Sequence, residues 1–116
     1  MAEQKEHPYS LTFEKDGIVY VSGAASMNYA TFDPVKGRME ALDAALDEIA
    51  RRLAGVGLDL SHIVKMTYFL TDVTLRNEAN DQFKKRFSAP RPARTVIGVS
   101  SLPFGTSAAI DVIAHR

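Results

Sequence analysis

Hydrophobic and polar residues alternate with a period of two in several short stretches of this chain. Leu11 and Phe13 alternate with polar neighbours, and an apolar run resumes at Ile18, directly after Asp16-Gly17. An Asp-Gly pair between two such runs is typical of a β-hairpin, because the tight turn needs residues that tolerate positive φ. The first two elements are therefore predicted to be paired strands, followed by an irregular segment of small and polar residues from Gly23.

A helical period replaces the alternation after Asp33-Pro34, which offers an N-cap and a proline at the first helical position. Gly55 and Gly57 provide a stop signal about twenty residues later. Between them, apolar residues recur at spacings of three and four: Met39, Leu42, Leu46, Ile49 and Leu53. This pattern predicts an amphipathic helix that begins at Pro34.

The second half of the chain is predicted to hold a strand, a helix and two more strands. Residues 63–71 alternate, with one face formed by Val64, Met66, Tyr68 and Leu70 and the other by Ile63, Lys65, Thr67 and Phe69. Asp72 or Thr74 can cap a second helix, whose apolar residues lie four apart: Leu75, Ala79, Phe83 and Phe87. Strands at 95–100 and 108–114 complete the order ββαβαββ, an α+β fold.

The predicted sheet has more apolar surface than two helices on one face can cover. The last strand places Ala108, Ile110, Val112 and Ala114 on one side, and Ala109, Asp111, Ile113 and His115 on the other. A second face that is this apolar needs cover, and no further element of the chain is available to supply it. We therefore expect other copies of the same chain to cover it in a symmetric oligomer.

Length and charge narrow the classes of function. A chain of 116 residues predicts one domain over residues 1–116, and 14 basic against 14 acidic residues leave no net charge to attract nucleic acid or an anionic membrane. No apolar signal or spanning segment stands out and cysteine is absent, so a cytoplasmic location is expected. His7, His62 and His115 show no metal-ligand spacing and no glycine-rich phosphate motif occurs, so neither a metal nor a cofactor is predicted.

Charged residues on the first helix fall at ion-pair spacing. Asp47 and Arg51, and likewise Glu48 and Arg52, lie four residues apart. Pairs at this spacing stabilise exposed helix surfaces. We expect both pairs to be solvated.

Arg94 follows two prolines at the start of a predicted strand. A guanidinium held there could bind a carboxylate through two parallel hydrogen bonds, a geometry that lysine does not offer. The alternative, which residue type alone favours, is an ordinary exposed arginine.

A set of short motifs, which follow one another in a fixed order, favours the carboxylate-binding interpretation of Arg94 over the exposed arginine. They are His7-Pro8-Tyr9-Ser10, Val19-Tyr20-Val21-Ser22-Gly23, Gly57-Leu58, His62-Ile63-Val64-Lys65, Phe69-Leu70-Thr71-Asp72, Asn80 with Phe83 and Phe87, Pro92-Ala93-Arg94-Thr95, Leu102-Pro103 and Ile110-Asp111-Val112-Ile113-Ala114. From about residue 8 to 114, the chain resembles the RidA/YjgF family of reactive-intermediate deaminases. The resemblance implies a chorismate-mutase-like fold with one mixed sheet, a homotrimer with a central β-barrel, and sites in the clefts between subunits.

The resemblance also implies roles for individual residues. Arg94 stands where the family's arginine binds the carboxylate of a 2-imino or 2-enamino acid, and Tyr9 and Ser22 match residues that line the site. These three are the candidate catalytic residues. Asn80 is a candidate substrate contact.

The last strand departs from the family pattern. Ala109 stands where deaminating members usually carry a glutamate that helps to place water, and Asp111 lies on the same predicted face. Ala109 and Asp111 are thus further candidate substrate contacts. Asp111, or His7 in place of a family glycine, could take over the missing role, or Asp111 could be a rim carboxylate and His7 a solvated terminal residue.

The expected function is hydrolytic deamination of a small carboxylate-bearing imine or enamine, without metal or organic cofactor. The alternative is a trimeric carboxylate-binding protein that has lost catalysis together with the glutamate. Some relatives are described as ribonucleases, but the zero net charge and the lack of aromatic base-stacking platforms argue against RNA as a partner.

Overall fold

The computed structural model describes residues 8–116 and has an α+β architecture. Its elements are β1 (Thr12–Lys15), β2 (Ile18–Ala25), α1 (Arg38–Ala54), β3 (Ile63–Leu70), α2 (Arg76–Arg86), β4 (Ala93–Gly98) and β5 (Ala108–His115). In the described residues the strands form one mixed sheet of five in the order β1-β2-β5-β3-β4, with β3 and β4 parallel and the other neighbours antiparallel. The predicted order ββαβαββ is confirmed.

The first hairpin turns at Asp16 and Gly17, whose φ angles of 54° and 80° are both positive. The Asp-Gly prediction is therefore confirmed. Strand β2 extends beyond Gly23, where the sequence predicts an irregular segment, because a bulge after Val21 lets Ala24 resume pairing with Ile110 on β5.

Helix α1 begins four residues later than the Asp33-Pro34 signal predicts. Pro34 forms an isolated antiparallel bridge with Met27, and the N–H of Val35 donates to the carbonyl of Ser26 at 2.9 Å. These contacts with the preceding segment keep the chain extended past the proline, so Gly37 becomes the N-cap residue. At the other end, α1 stops at Gly55 as predicted.

Helix α2 follows a short 3₁₀ turn, Val73–Leu75, that Asp72 caps by accepting a hydrogen bond from the N–H of Thr74 at 2.9 Å. The prediction that Asp72 or Thr74 caps the second helix itself is wrong, because Leu75 is the N-cap residue of α2 and no side chain caps it. Asp72 caps the turn that leads into the helix instead. The next strand, β4, begins two residues before the predicted start because Ala93 already pairs with Lys65 of β3.

The core lies between the helices and one face of the sheet. Leu42, Leu46, Ile49 and Leu53 of the predicted stripe are all fully buried. On β3 the prediction for Met66, Tyr68 and Leu70 is confirmed, but Ile63 is buried and Val64 is 50% exposed, the reverse of the predicted faces. A register irregularity between Ile63 and Lys65 inverts the alternation there.

The opposite face of the sheet carries no helix of the described chain. Phe13 and Tyr20 lie directly opposite each other on β1 and β2 and are 61% and 45% exposed. Ile97 on β4 is 41% exposed, and Ala109, Asp111 and Ile113 of β5 on this face are partly buried. Within residues 8–116, no helix is both long and apolar enough to cross a bilayer.

Candidate functional site

Arg94 is the second residue of β4, an edge strand. It lies opposite Met66 on β3, and Met66 is fully buried on the face that the helices cover. The side chain of Arg94 therefore lies on the helix side of the sheet, beside α2.

Helix α2 supplies most of the contacts to Arg94. Nη2 donates to Oδ1 of Asn80 at 2.6 Å, and Nη1 donates to the carbonyl of Ala79 at 3.4 Å. The guanidinium lies over the ring of Phe83, 4.8 Å from its centroid, and 5.3 Å from the centroid of Tyr68 on β3. The structure thus brings together two predicted site residues, Arg94 and Asn80, and holds the guanidinium in place.

The charge of Arg94 is not compensated by an acidic side chain within residues 8–116. Its two hydrogen-bond acceptors are neutral oxygens, whereas Arg38, for comparison, forms a bidentate pair with Glu78 at 2.7 and 2.9 Å. Partial burial lowers the pKa of Arg94, and the nearby charge of Arg76 lowers it further. A guanidinium remains protonated in proteins, so the structure presents a fixed, partly desolvated cation.

Ser22 and Tyr9 lie near the opposite edge of the sheet, where β1 is the edge strand. The Ser22 hydroxyl donates to the carbonyl of Ser10 at 2.7 Å, and its N–H donates to the carbonyl of Leu11 at 3.0 Å. Tyr9, which precedes β1, is 51% exposed. The two residues thus belong to one surface region where the chain enters the sheet.

A buried ion pair supports the backbone at Ser22. Arg52 donates from Nε to Oε2 of Glu48 at 3.0 Å, and from Nη1 to the carbonyls of Ser22 and Gly23 at 2.8 and 3.4 Å. Glu48 and Arg52 are only 8% and 7% exposed, so the expectation of a solvated pair is wrong. The bulge in β2 leaves these carbonyls facing α1, and Arg52 satisfies them.

The other predicted pair on α1, between Asp47 and Arg51, is replaced by different partners. Asp47 pairs with Arg86 of α2 at 3.1 Å, while Arg51 pairs with Glu48 at 3.0 Å. Tertiary packing between the helices overrides the local spacing.

Within a single chain, Ser22 and Arg94 are separated by the width of the sheet. Val21, which precedes Ser22, pairs with Val112 on β5; Val112 pairs with Met66 on β3, and Met66 with Arg94. Three strand spacings therefore separate the two positions, which amounts to roughly 14 Å.

Ala109 and Asp111 lie on the face without helices. Asp111 pairs with Thr67 on β3, and Ala109 with Phe69, in the alternation that the sequence predicts. Burial raises the pKa of Asp111, and the nearby Lys65 opposes this shift. In a single chain these two residues and Arg94 occupy opposite faces of the sheet, and His7 lies outside the described residues.

The polar contacts behind Arg94 were not predicted from the sequence. Tyr68 and Gln82 are 0% and 2% exposed, and the Tyr68 hydroxyl donates to Oε1 of Gln82 at 2.7 Å. A tyrosine on the core face of a predicted strand is the signal that could have found them, because its buried hydroxyl requires a partner. Among residues 8–116, no three metal-ligating side chains come together.

Comparison with known proteins places this geometry in a family. The family model described as Endoribonuclease L-PSP matches residues 2–116. The chain belongs to the RidA/YjgF family. Related proteins of this family include Protein DfrA of Myxococcus xanthus, 34% identical over 110 residues, with 92% of this chain and 84% of the relative covered. The 2-iminobutanoate/2-iminopropanoate deaminase of Capra hircus is also 34% identical over 108 residues, which cover 92% of this chain and 79% of the deaminase.

Solved structures of the RidA/YjgF family share the fold described above. RidA from an Antarctic Psychrobacter superposes with a TM-score of 0.89 at 26% identity, covering 96% of this chain and 90% of the other. Yeast Mmf1 superposes with a TM-score of 0.87 at 32% identity, covering 94% and 87%.

Proposed function

We propose that this protein binds small carboxylate-bearing imines or enamines and hydrolyses them to the keto acid and ammonia. The observation that carries the proposal is Arg94, a fixed guanidinium with neutral partners and no acidic one in the described chain. The 2-iminobutanoate/2-iminopropanoate deaminases among the relatives support the same substrate class.

Arg94 can anchor the carboxylate. An arginine has five N–H groups, and within residues 8–116 the contacts of Arg94 with Asn80 and Ala79 use two of them. We propose that N–H groups among the remaining three bind the carboxylate. A planar fork matches both oxygens of a carboxylate and fixes the orientation of the substrate. Because the guanidinium is already held, little conformational entropy is lost on binding.

The site is proposed to be complete only between two copies of the chain. Arg94 lies on one edge strand, while Tyr9 and Ser22 lie by the opposite edge, roughly 14 Å away. A homotrimer whose helix-free faces meet in a central barrel would cover the exposed Phe13 and Tyr20 and could bring the two edges of neighbouring copies together.

Hydrolysis of a C=N bond needs water attack on the carbon, protonation of the nitrogen and proton transfer to the departing ammonia. A carboxyl group with a raised pKa holds a proton closer to neutral pH and is suited to that transfer. Burial raises the pKa of Asp111. Position 109 is alanine where the family resemblance implies a glutamate, so Asp111 of a neighbouring copy is the candidate for the proton transfer.

The second candidate is a carboxylate-binding protein without catalysis. Ala109 favours it, because the side chain expected to place water is missing. Both candidates use Arg94 as the anchor, so binding alone does not separate them.

Two measurements on the full chain test the proposal. The first is calorimetric titration with pyruvate, the keto product, using wild type, Arg94→Ala and the nearby control Arg91→Ala. Arg91 is an exposed arginine that donates to backbone carbonyls of Phe87 and Lys84. We expect Arg94→Ala to lose about 1.5–3 kcal/mol of binding free energy and Arg91→Ala to bind like wild type. Equal binding by Arg94→Ala and wild type would show that Arg94 is only a surface arginine.

The second measurement follows 2-iminopropanoate, generated in situ from alanine by an amino acid oxidase, with and without the protein. Faster conversion to pyruvate and ammonia than in buffer supports the deaminase. Binding of pyruvate with no acceleration supports the second candidate.

A further inference from the structure

The buried hydroxyl of Tyr68 starts a chain of hydrogen bonds that links β3, α2 and α1. It donates to Oε1 of Gln82 at 2.7 Å, and Nε2 of Gln82 donates to Oδ1 of Asp43 at 2.7 Å. Asp43 ends the chain at the surface, where Arg86 lies 3.8 Å from the same oxygen. Each of the three polar side chains is thereby partnered.

The direction of this chain is determined by its last member. A carboxylate only accepts hydrogen bonds, so the amide of Gln82 must present its NH₂ group to Asp43 and its oxygen to Tyr68. Tyr68 therefore donates. Burial raises the pKa of Tyr68 well above its ordinary value, which keeps the hydroxyl protonated. The chain has a single arrangement and ties the Tyr68 ring firmly to α2.

Arg94 is held by the groups that this chain fixes. Its guanidinium lies over the Tyr68 ring, and its other contacts, Ala79, Asn80 and Phe83, come from α2 in the turn that also carries Gln82. A core that needed only to be filled could use phenylalanine and leucine, which have no polar group to satisfy. The polar chain connects the two surfaces on which the guanidinium rests.

We propose that Tyr68 and Gln82 are positioning residues for the carboxylate anchor Arg94. They hold the Tyr68 ring and α2 in one relative arrangement, so that the guanidinium presents its free N–H groups to a carboxylate in one orientation. This inference rests on the proposed function, because it takes Arg94 to bind a carboxylate. Its physical basis is that two parallel hydrogen bonds depend on the orientation of the planar fork far more than a point charge does.

Pyruvate affinity, measured by calorimetry on the full chain, is the first test. Tyr68→Phe keeps the ring and removes the hydroxyl, and Gln82→Leu removes the amide. We expect each to weaken pyruvate binding about tenfold, which is about 1.4 kcal/mol. Ile49→Val, a cavity-forming change in the same core and outside the chain of hydrogen bonds, is the matched control and should bind like wild type.

A second readout separates positioning from stability. In an Arg94→Lys background the ammonium group acts as a point charge, so Tyr68→Phe should no longer change pyruvate affinity.

The double variant Tyr68→Phe/Gln82→Leu replaces both buried partners by apolar groups and should regain stability in urea without regaining affinity. Asp43→Ala, at the exposed end, should weaken binding in the same direction but less, and it tests the chain if the buried variants do not fold.

The outcomes are distinguishable. If Arg94→Ala binds pyruvate as wild type does, the proposed function and this inference both fail. If binding depends on Arg94 but Tyr68→Phe, Gln82→Leu and Asp43→Ala all bind like wild type, only the positioning role is overturned. A loss of affinity from Tyr68→Phe that persists unchanged in the Arg94→Lys background also overturns it.

Discussion

Val21 and Arg94 lie in the same row of the β-sheet, on strands β2 and β4, with Val112 and Met66 between them. Ser22, next to Val21, therefore lies near the β1 edge of the sheet, whereas Arg94 lies on the opposite edge, β4. Residues that the family resemblance assigns to a single site are separated by the sheet itself. The proposal that the site is assembled from two copies accounts for this separation, and it leads to the first prediction.

Mixed assemblies should recover activity that each parent has lost. If the site is shared between neighbouring copies of a trimer, Arg94→Ala and Ser22→Ala damage different sides of it, and trimers refolded from a mixture contain some sites with both residues intact. We expect sedimentation to show a trimer at micromolar concentration, and imine hydrolysis by the mixture to exceed that of either variant alone. A stable monomer, or a mixture no more active than its parents, would contradict a shared site.

Introducing the missing carboxylate should increase the rate. Ala109→Glu places a carboxyl group where the family resemblance implies a glutamate, and a well-placed acid or base contributes about 10²–10⁴-fold to a rate. We expect kcat for 2-iminopropanoate to rise in Ala109→Glu with pyruvate affinity nearly unchanged.

Asp111→Asn is the complementary change. If Asp111 supplies the proton transfer, this variant should lower kcat and leave pyruvate affinity intact, because Arg94 still anchors the ligand. A wild-type rate that survives Asp111→Asn would remove Asp111 from the mechanism.

Asp111 also predicts a pH dependence of stability. Burial raises its pKa in the folded chain above the ordinary value of 3.8, so between these two values the folded state binds more protons than the unfolded state. The contribution of Asp111 to stability is therefore greatest at low pH and is lost as the pH rises through the raised value. Urea unfolding across pH 3–7 should show that the unfolding free energy of Asp111→Asn, relative to that of wild type, increases with pH. Parallel curves for the two proteins would refute this contribution.

The buried Glu48–Arg52 pair should matter more than its helical spacing indicates. Glu48→Gln leaves Arg52 charged and without its carboxylate partner in a buried position, which typically costs about 3–5 kcal/mol. Arg51→Ala, which removes an exposed arginine from the same glutamate, is the control and should cost less than about 1 kcal/mol. Urea unfolding measures both, and similar midpoints for the two variants would contradict a buried ionic role.

The order of elements could be predicted because it depends on local properties. The Asp16-Gly17 turn, the α1 stripe from Leu42 to Leu53 and the alternation of β5 each reflect the period of one element against one core. The start of α1 could not be predicted, since Pro34 is held by a bridge to Met27 that no local signal reveals.

Charge spacing was less informative than apolar spacing. Asp47 and Glu48 both have an arginine four residues further on, yet Asp47 pairs with Arg86 of α2 and Glu48 is buried with Arg52. Spacing along a helix shows which side chains can meet, whereas burial depends on what packs against them.

The sequence alone was sufficient to identify the helices, the strands and the second apolar face, because these follow from periodicity. Arg94 became the candidate anchor only through the motifs that resemble the RidA/YjgF family, since residue type alone favours an exposed arginine. Only the tertiary structure showed that Arg94 donates a hydrogen bond to Asn80 and that Tyr68 and Gln82 are hydrogen-bonded to each other next to it. It also showed that Asp111 lies on the face of the sheet opposite to Arg94. These contacts join residues on different elements. Their geometry depends on strand order, register and helix packing, which act over the whole chain.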